Sequence, residues 1–319
     1  MLIHEISSPP TPALQAALAA YESKFLYPLA DGVAFRIDHG PDRTAFLRSL
    51  GGDWCLLAAE SNGMIRGTAD LTLCQVQAPG SQTAIPAVFC NEIRLLEEAR
   101  RKTVAARLLQ HADLWYRARA GSILSIVNDT NTAKPSAYTG RLGITPLRHV
   151  SAVSHIRIPL ADLPLPSSTP ATSPASDQVG LDAFARLSTP FHRVTPTSAH
   201  ARSMLIPQWF LHPSGAACAR IEDRRKTIRL ITTSGIELRP AFLSCFAYSD
   251  PAAAADLLHA TCAAAIHSGF NALRFCIPSS SLPALRAACP FALPAAPAAV
   301  YASASIPSGT EWLINASEM

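Results

Sequence analysis

The 319-residue sequence predicts an α/β protein built as two tandem copies of one fold. Its length exceeds a single core of about 100–150 residues. A proline-, serine- and threonine-rich stretch, Pro164 to Ser176, divides it nearly in half, and the order strand, helix, glycine, strand, helix, strand occurs on both sides. Proline fixes φ and lacks an amide hydrogen, so this stretch reads as an exposed linker within 161–178. Domains are then expected at 1–160 and 179–319.

In the first half, Thr11–Phe25 and Pro41–Leu50 have helical spacing; in the latter, Asp42 and Arg43 precede the apolar Phe46, Leu47 and Leu50. Strand patterns cover Val33–Ile37, Trp54–Ala59, Ile65–Val76 and Ala87–Leu96, and Asn62-Gly63 signals a hairpin. A helix is expected over Thr103–Arg119, with Val104, Leu108, Ala112 and Trp115 on one face and Gly121 ending it. Strand Ser122–Val127, helix Asn131–Leu142 closed by Gly143, and strand Val150–Ile158 follow. The second half offers strands Ala216–Ile221, Thr227–Thr232 and Ala241–Tyr248, then a helix opened by Asp250-Pro251 and stopped at Gly269. Asn271–Ile277, Ser281–Ala288, Ala298–Ala304 and Trp312–Ile314 complete the copy.

Hydrophobic residues at 49% and charged residues at 16% supply two packed cores and exclude a disordered chain. A net charge of +4 suits an anionic cofactor but is too small and dispersed for a nucleic-acid partner. The eight cysteines include no CxxC pair and lie in apolar runs, as free thiols of a reducing compartment do. The start, Met1-Leu2-Ile3-His4-Glu5, lacks the features of a signal peptide, and no apolar run has the length of a membrane span. A cytoplasmic protein without a membrane partner is expected. His192, His200 and His212 have no metal-ligand spacing, and neither a G-x-S-x-G elbow nor a P-loop is present. Phe191, Trp209, Phe210 and Phe242 read as core, with an acceptor or acyl pocket as the alternative.

Chemistry concentrates where the strand ending near Leu96 meets the helix beginning near Thr103. Helix-entry amides lack partners and carry partial positive charge; Arg100, Arg101 and Lys102 add three cations, so the junction suits a diphosphate. Arg100-Arg101-Lys102-Thr103-Val104-Ala105, with Leu108-Leu109 behind it, resembles motif A of the GCN5-related N-acetyltransferases (GNAT), Q/R-x-x-G-x-G/A, with Thr103 in place of the middle glycine. Asn131 and Ala133, then Tyr138 and Leu142-Gly143-Ile144, resemble that family's motif B.

The resemblance covers about residues 30–158 directly. It implies, in each half, a central, mostly antiparallel twisted sheet flanked by helices, with a degenerate second copy lacking a phosphate loop. It implies an acyltransferase, acetyl by default, moving an acyl group from acyl-CoA to a small-molecule amine. Alternatives are a longer-chain enzyme supplied by acyl-CoA or an acyl carrier protein, as in N-acyl amino acid synthases, and a non-catalytic acyl-CoA-binding module. A homodimer through the second copy is also open. Tyr138 is then expected as the acid near the thioester sulfur, and Glu92 as a base whose pKa burial would have to raise. Ile93, Arg94 and Leu95 are expected to meet the acyl carbonyl or pantetheine, Arg100, Arg101, Lys102, Thr103, Val104 and Ala105 the diphosphate. Asn131 is expected to bond the pantetheine arm or to cap its helix.

Overall fold

The computed structural model describes residues 1–29, 33–100, 103–161, 163 and 173–318. In chain order the first half forms β1 (Leu2–Ile6), α1 (Pro12–Glu22), β2 (Tyr27–Pro28), β3 (Ala34–Asp38), α2 (Ala45–Ser49), β4 (Trp54–Ser61), β5 (Met64–Gln77), β6 (Ala84–Leu95), α3 (Val104–Arg117), β7 (Ser122–Asn128), α4 (Pro135–Tyr138) and β8 (Arg148–Pro159). The second half forms β9 (Ser173–Ala175), α5 (Asp177–Leu187), β10 (His192–Val194), β11 (Gln208–Leu211), β12 (Ala217–Glu222), β13 (Arg229–Thr232), β14 (Glu237–Leu238), β15 (Pro240–Tyr248), α6 (Pro251–His267), β16 (Ala272–Pro278), α7 (Leu282–Ala288), β17 (Ala295–Ala302) and β18 (Trp312–Leu313).

Local chemistry explains most of these boundaries. Asn62 and Gly63 both take positive φ (55° and 72°), as a tight turn between β4 and β5 requires. Asp250 caps α6 by accepting from the Ala252 amide at 3.0 Å, Pro251 fills the first helical position, and Gly269 leaves it at φ 74°. The helix expected over Asn131–Leu142 is only one turn, Pro135–Tyr138. Pro135 cannot accept an interior helical position, and the positive φ of Gly140, Leu142 and Gly143 ends any continuation. The tail of the expected linker is structured: β9 pairs with β11, and Ser176 caps α5. Residues 164–172 lie outside the described residues.

The repeated order is present, as β6-α3-β7-α4-β8 and β15-α6-β16-α7-β17. The two copies do not form separate sheets. One 14-stranded sheet runs β1-β4-β5-β6-β7-β17-β8-β16-β15-β12-β11-β9, with β10 and β18 attached beside β5. Each copy's last strand sits in the other copy: β17 pairs with β7, and β8 pairs with β16. A second sheet, β14-β13-β3-β2, also joins the halves, with Leu230 opposite Ile37. Pairing is antiparallel except for β6/β7, β15/β16 and the short β10/β18. Among the described residues no helix is long and apolar enough to cross a membrane.

Helices bury their apolar faces on this sheet. Leu108, Ala112 and Trp115 of α3 enter the core of the first half, where Gly67 of β5 lets Leu95 and Leu108 approach closely. Gly180 of α5 serves the same purpose against Trp209, whose indole nitrogen donates to Asp177 at 2.9 Å. A Cβ at Gly180 would overlap the indole of a residue only 1% exposed. Alanine gains up to about 1 kcal/mol of helix propensity, but overpacking costs about 1–3 kcal/mol. Gly180→Ala should therefore destabilise the protein by about 1–2 kcal/mol in urea unfolding; a stability gain would show that Trp209 can yield.

Candidate active site

Both copies carry the same irregularity. On β6, Thr68 faces Arg94 and Asp70 faces Asn91, so Glu92 and Ile93 together oppose Ala69. On β15, Cys218 faces Ala247 and Arg220 faces Ser244, so Cys245 and Phe246 oppose Ala219. These are β-bulges, and their first residues, Glu92 (φ 41°) and Cys245 (φ 53°), lie in the left-handed region. Just before each bulge the parallel partner parts company. β6 and β7 pair only over Ala87–Phe89 with Ser122–Leu124, and β15 and β16 only over Pro240–Phe242 with Ala272–Arg274. Beyond those pairs the strands splay.

In the first copy the splay separates two cavities on opposite faces of one strand pair. Toward the helices, Cys90, Ile93, Ile123, Ser125 and Tyr138 line an apolar pocket of about 20 Å³, closed over by α3 and α4. Toward the other face, Phe89, Asn91, Glu92, Ile126 and Asn128 line a polar cavity of about 440 Å³. In the second copy the splay is occupied by the chain's own C-terminal end. Asn315 accepts the amide of the bulge residue Cys245 at 2.8 Å, Ser317 donates to Glu222 at 2.6 Å, and Glu318 pairs with Arg202 at 3.2 Å.

A buried ion network stands behind the first bulge. Arg43, 1% exposed, pairs with Glu22, with Asp70 at 2.9 Å and with Glu92 at 3.1 Å. Arg94 reaches Glu92 at 2.8 Å, and its carbonyl accepts from the Tyr21 hydroxyl at 2.7 Å. His39 lies 3.0 Å from Glu22; burial and Arg43 push its pKa down. Burial alone would raise the pKa of Glu92, but Arg94, Arg43 and His39 outweigh it and hold the carboxylate well below its usual range. Asp70 goes the other way, to about 6, because burial and the charge of Glu92 exceed the pull of Arg43.

The expected site residues are distributed as follows. Tyr138 ends α4, half-buried in the small pocket beside Cys90, and burial first, then Cys90 and Tyr301, raises its pKa, so its hydroxyl stays protonated. Glu92 is on the splayed strand, but the elevated pKa expected of a base is not found, because two arginines hold it ionised. Ile93 faces the small pocket, whereas the Arg94 side chain is committed to Glu92 and lies over Tyr27, and Arg94 and Leu95 pair with Thr68 and Gly67 of β5. Arg100 and Thr103 are exposed at the entrance of α3, and Arg107 N donating to Thr103 O closes its first turn. The side chain of Val104 is buried in the core, so its amide and that of Ala105 are what the entrance offers. Arg101 and Lys102 lie outside the described residues. Asn131 does not cap α4; its Oδ1 accepts from the Ala133 amide at 3.3 Å in an exposed turn four residues upstream of the helix.

Sequence reasoning missed Arg43, which reads as an ordinary helix-entry residue, and the arginines of the large cavity, which come from distant strands. The bulge itself left no glycine to mark it.

No protein-family model and no curated protein sequence matches the chain. Solved structures do. N-myristoyltransferase from Saccharomyces cerevisiae with bound myristoyl-CoA superposes with a TM-score of 0.64 at 12% identity, over 94% of this chain and 78% of that one. A second structure of the same enzyme gives 0.59 at 12%, over 94% and 82%. A GCN5-related N-acetyltransferase from Anabaena variabilis gives 0.53 at 9%, over 94% and 72%. The chain has the GNAT fold. The resemblance read from motifs A and B therefore extends, at the level of fold, to almost the whole chain.

Removing Arg43 leaves Glu22, Asp70 and Glu92 facing one another without their common cation. Breaking a buried ion pair from one side costs about 3–5 kcal/mol, so Arg43→Ala should lower the urea midpoint sharply. An unchanged midpoint would mean that the network adds nothing to the fold.

Proposed function

We propose that the protein is an acyltransferase that moves a short acyl group, acetyl by default, from acyl-CoA to an amine. The observation that carries this reading is the splay of β6 and β7 at the Glu92 bulge, between two cavities. Strand edges inside a sheet normally pair with each other; here the amides and carbonyls past Phe89 and Leu124 have no partners across the gap in the β6–β7 ladder. A pantetheine arm carries two amides and can lie along such edges as an added strand does. The entrance of α3, with Arg100 beside it, would take the diphosphate. The N-myristoyltransferase neighbours hold myristoyl-CoA, which supports an acyl-CoA donor.

In this mechanism the amine nitrogen attacks the thioester carbon. The N–C bond forms, the C–S bond breaks, the sulfur leaves as thiolate, and the proton that the new amide nitrogen sheds passes to the thiolate through solvent. Tyr138, kept protonated, donates a hydrogen bond toward that sulfur. Glu92 is not the base. Its ion pairs hold the bulge open, and the proton of the incoming ammonium passes to solvent before attack. An acyl group beside Tyr138 would meet the apolar lining of Cys90, Ile93 and Ile123. The second copy is proposed to bind no cofactor, since Asn315 already holds the bulge amide. Eight free cysteines suit a reducing cytoplasm.

Two measurements test the reading. Arg100→Ala should weaken acetyl-CoA binding about 5- to 10-fold by calorimetry, as expected for one lost charge-assisted contact. Unchanged affinity removes the diphosphate site. Tyr138→Phe should lower kcat roughly 100-fold with acetyl-CoA affinity retained; full activity would remove Tyr138 from the chemistry.

A further inference from the structure

The large cavity is walled by Arg157, Arg224, Arg274 and His155. β8 and β16 are antiparallel neighbours in a register that places Arg274 directly opposite Arg157, and Cys276 opposite His155. Residues two apart on a strand share a face, so His155 and Arg157 point the same way, and both line the cavity with Arg274. Arg224 lines it as well, its guanidinium 4.4 Å from the centre of the Phe242 ring. Like charges directly opposite across a ladder repel. Neither Arg157 nor Arg274 forms an ion pair among the described residues, and the buried Nε of Arg274 and Nε2 of His155 have no hydrogen-bond partner there. Among the described residues the lining has one carboxylate, Glu92, and that group is already engaged by Arg43 and Arg94. Arg274 is pulled down to about 10 by burial and by Arg157, and His155 to about 4 by burial and Arg274, as groups short of negative charge behave.

We propose that this cavity binds the acceptor through a carboxylate, held by Arg274 and Arg157 with His155 beside them, so that the acyl group is transferred to an amino acid rather than to a simple amine. The inference rests on the acyltransferase reading for its chemistry, but not for its binding site. A volume of about 440 Å³ accommodates a single amino acid. The cavity also reaches Asn91, Glu92 and Asn128 on the splayed strands, so an acceptor anchored at Arg274 extends its amine toward the gap where the thioester would lie. The surrounding guanidinium charge disfavours an ammonium and favours the neutral amine that attack requires. An acyl chain, by contrast, has no reason to enter a cavity lined by three arginines and a histidine.

The test compares amino acids with their decarboxylated amines: phenylalanine with 2-phenylethylamine, tryptophan with tryptamine, histidine with histamine, and then a pool of all twenty amino acids. Binding is measured by calorimetry with CoA present, and transfer from acetyl-CoA by product mass. At least one amino acid should bind ten-fold or more tightly than its amine, and Arg274→Gln and Arg157→Gln should each remove most of that preference. Both variants should keep or raise the thermal midpoint of the ligand-free protein, because each relieves a like-charge pair; a merely structural role would lower it. Equal binding of acid and amine, survival of the preference in both variants, or binding by no member of the pool overturns the proposal. Carboxylate-dependent binding without product from acetyl-CoA would keep the cavity's assignment and reject the acyltransferase reading. Product formed equally from acids and amines would do the reverse.

Discussion

The exchange of β8 and β17 is the constraint on which the rest of the molecule depends. Each copy gives its final strand to the other, so the centre of the sheet reads β7-β17-β8-β16 and no hydrogen-bonding edge is left where the halves meet. A strand cannot be withdrawn from either side without exposing two ladders at once, β8 against both β17 and β16, and β17 against both β7 and β8. Two further crossings, β3 with β13 and β5 with β10, reinforce it. The halves are copies in sequence order, but a single cooperative sheet in space. Long-range pairing of this kind forms late and slowly, since the loops must close before the ladders reward them.

The exchange also creates the space in which chemistry is proposed. Two splayed strand pairs, β6/β7 and β15/β16, face each other across the exchanged strands, and the large cavity lies between them. Its lining is drawn from both copies: Phe89 and Glu92 from β6, Phe242 and Arg274 from β15 and β16, and His155 from the strand handed across. A residue in the left-handed region such as Glu92 costs about 1–3 kcal/mol unless its surroundings fix it. Arg43 and Arg94 supply that fixation, so the ion network and the bulge are two parts of one device.

Much of this was legible along the chain, and the boundary of legibility is physical. Strands β4 to β8 announce themselves by their apolar, strand-like runs, the β4–β5 turn by Asn62-Gly63, and α6 by its Asp-Pro start and Gly269 stop, because each signal is local. The bulge at Glu92 is silent, since neither glycine nor proline marks it and the stabilising arginines are remote. The Gly143 stop and the motif B register suggested a longer α4 than Pro135 and Gly140 permit. Strand exchange is invisible because β8 and β17 have ordinary strand compositions; only the register reveals their neighbours. For the same reason nothing along the chain links Arg157 to Arg274, which β8 and β16 set opposite each other.

The asymmetry between the copies follows from a small difference in what fills equivalent gaps. Both bulges free backbone groups, and both parallel pairs open. In the second copy Asn315 satisfies the Cys245 amide, and the turn that carries it is anchored by Ser317 on Glu222 and by Glu318 on Arg202. In effect the C-terminal end plays there the part that an extended ligand would play in the first copy, satisfying main-chain groups that the sheet has left open. A duplicated scaffold can thus retire one site without losing the splay that shapes the other, provided that some segment of chain supplies the missing hydrogen bonds. The filled cleft then contributes Phe242 and Ala316 to the wall of the shared cavity, and the gap between β6 and β7 stays open.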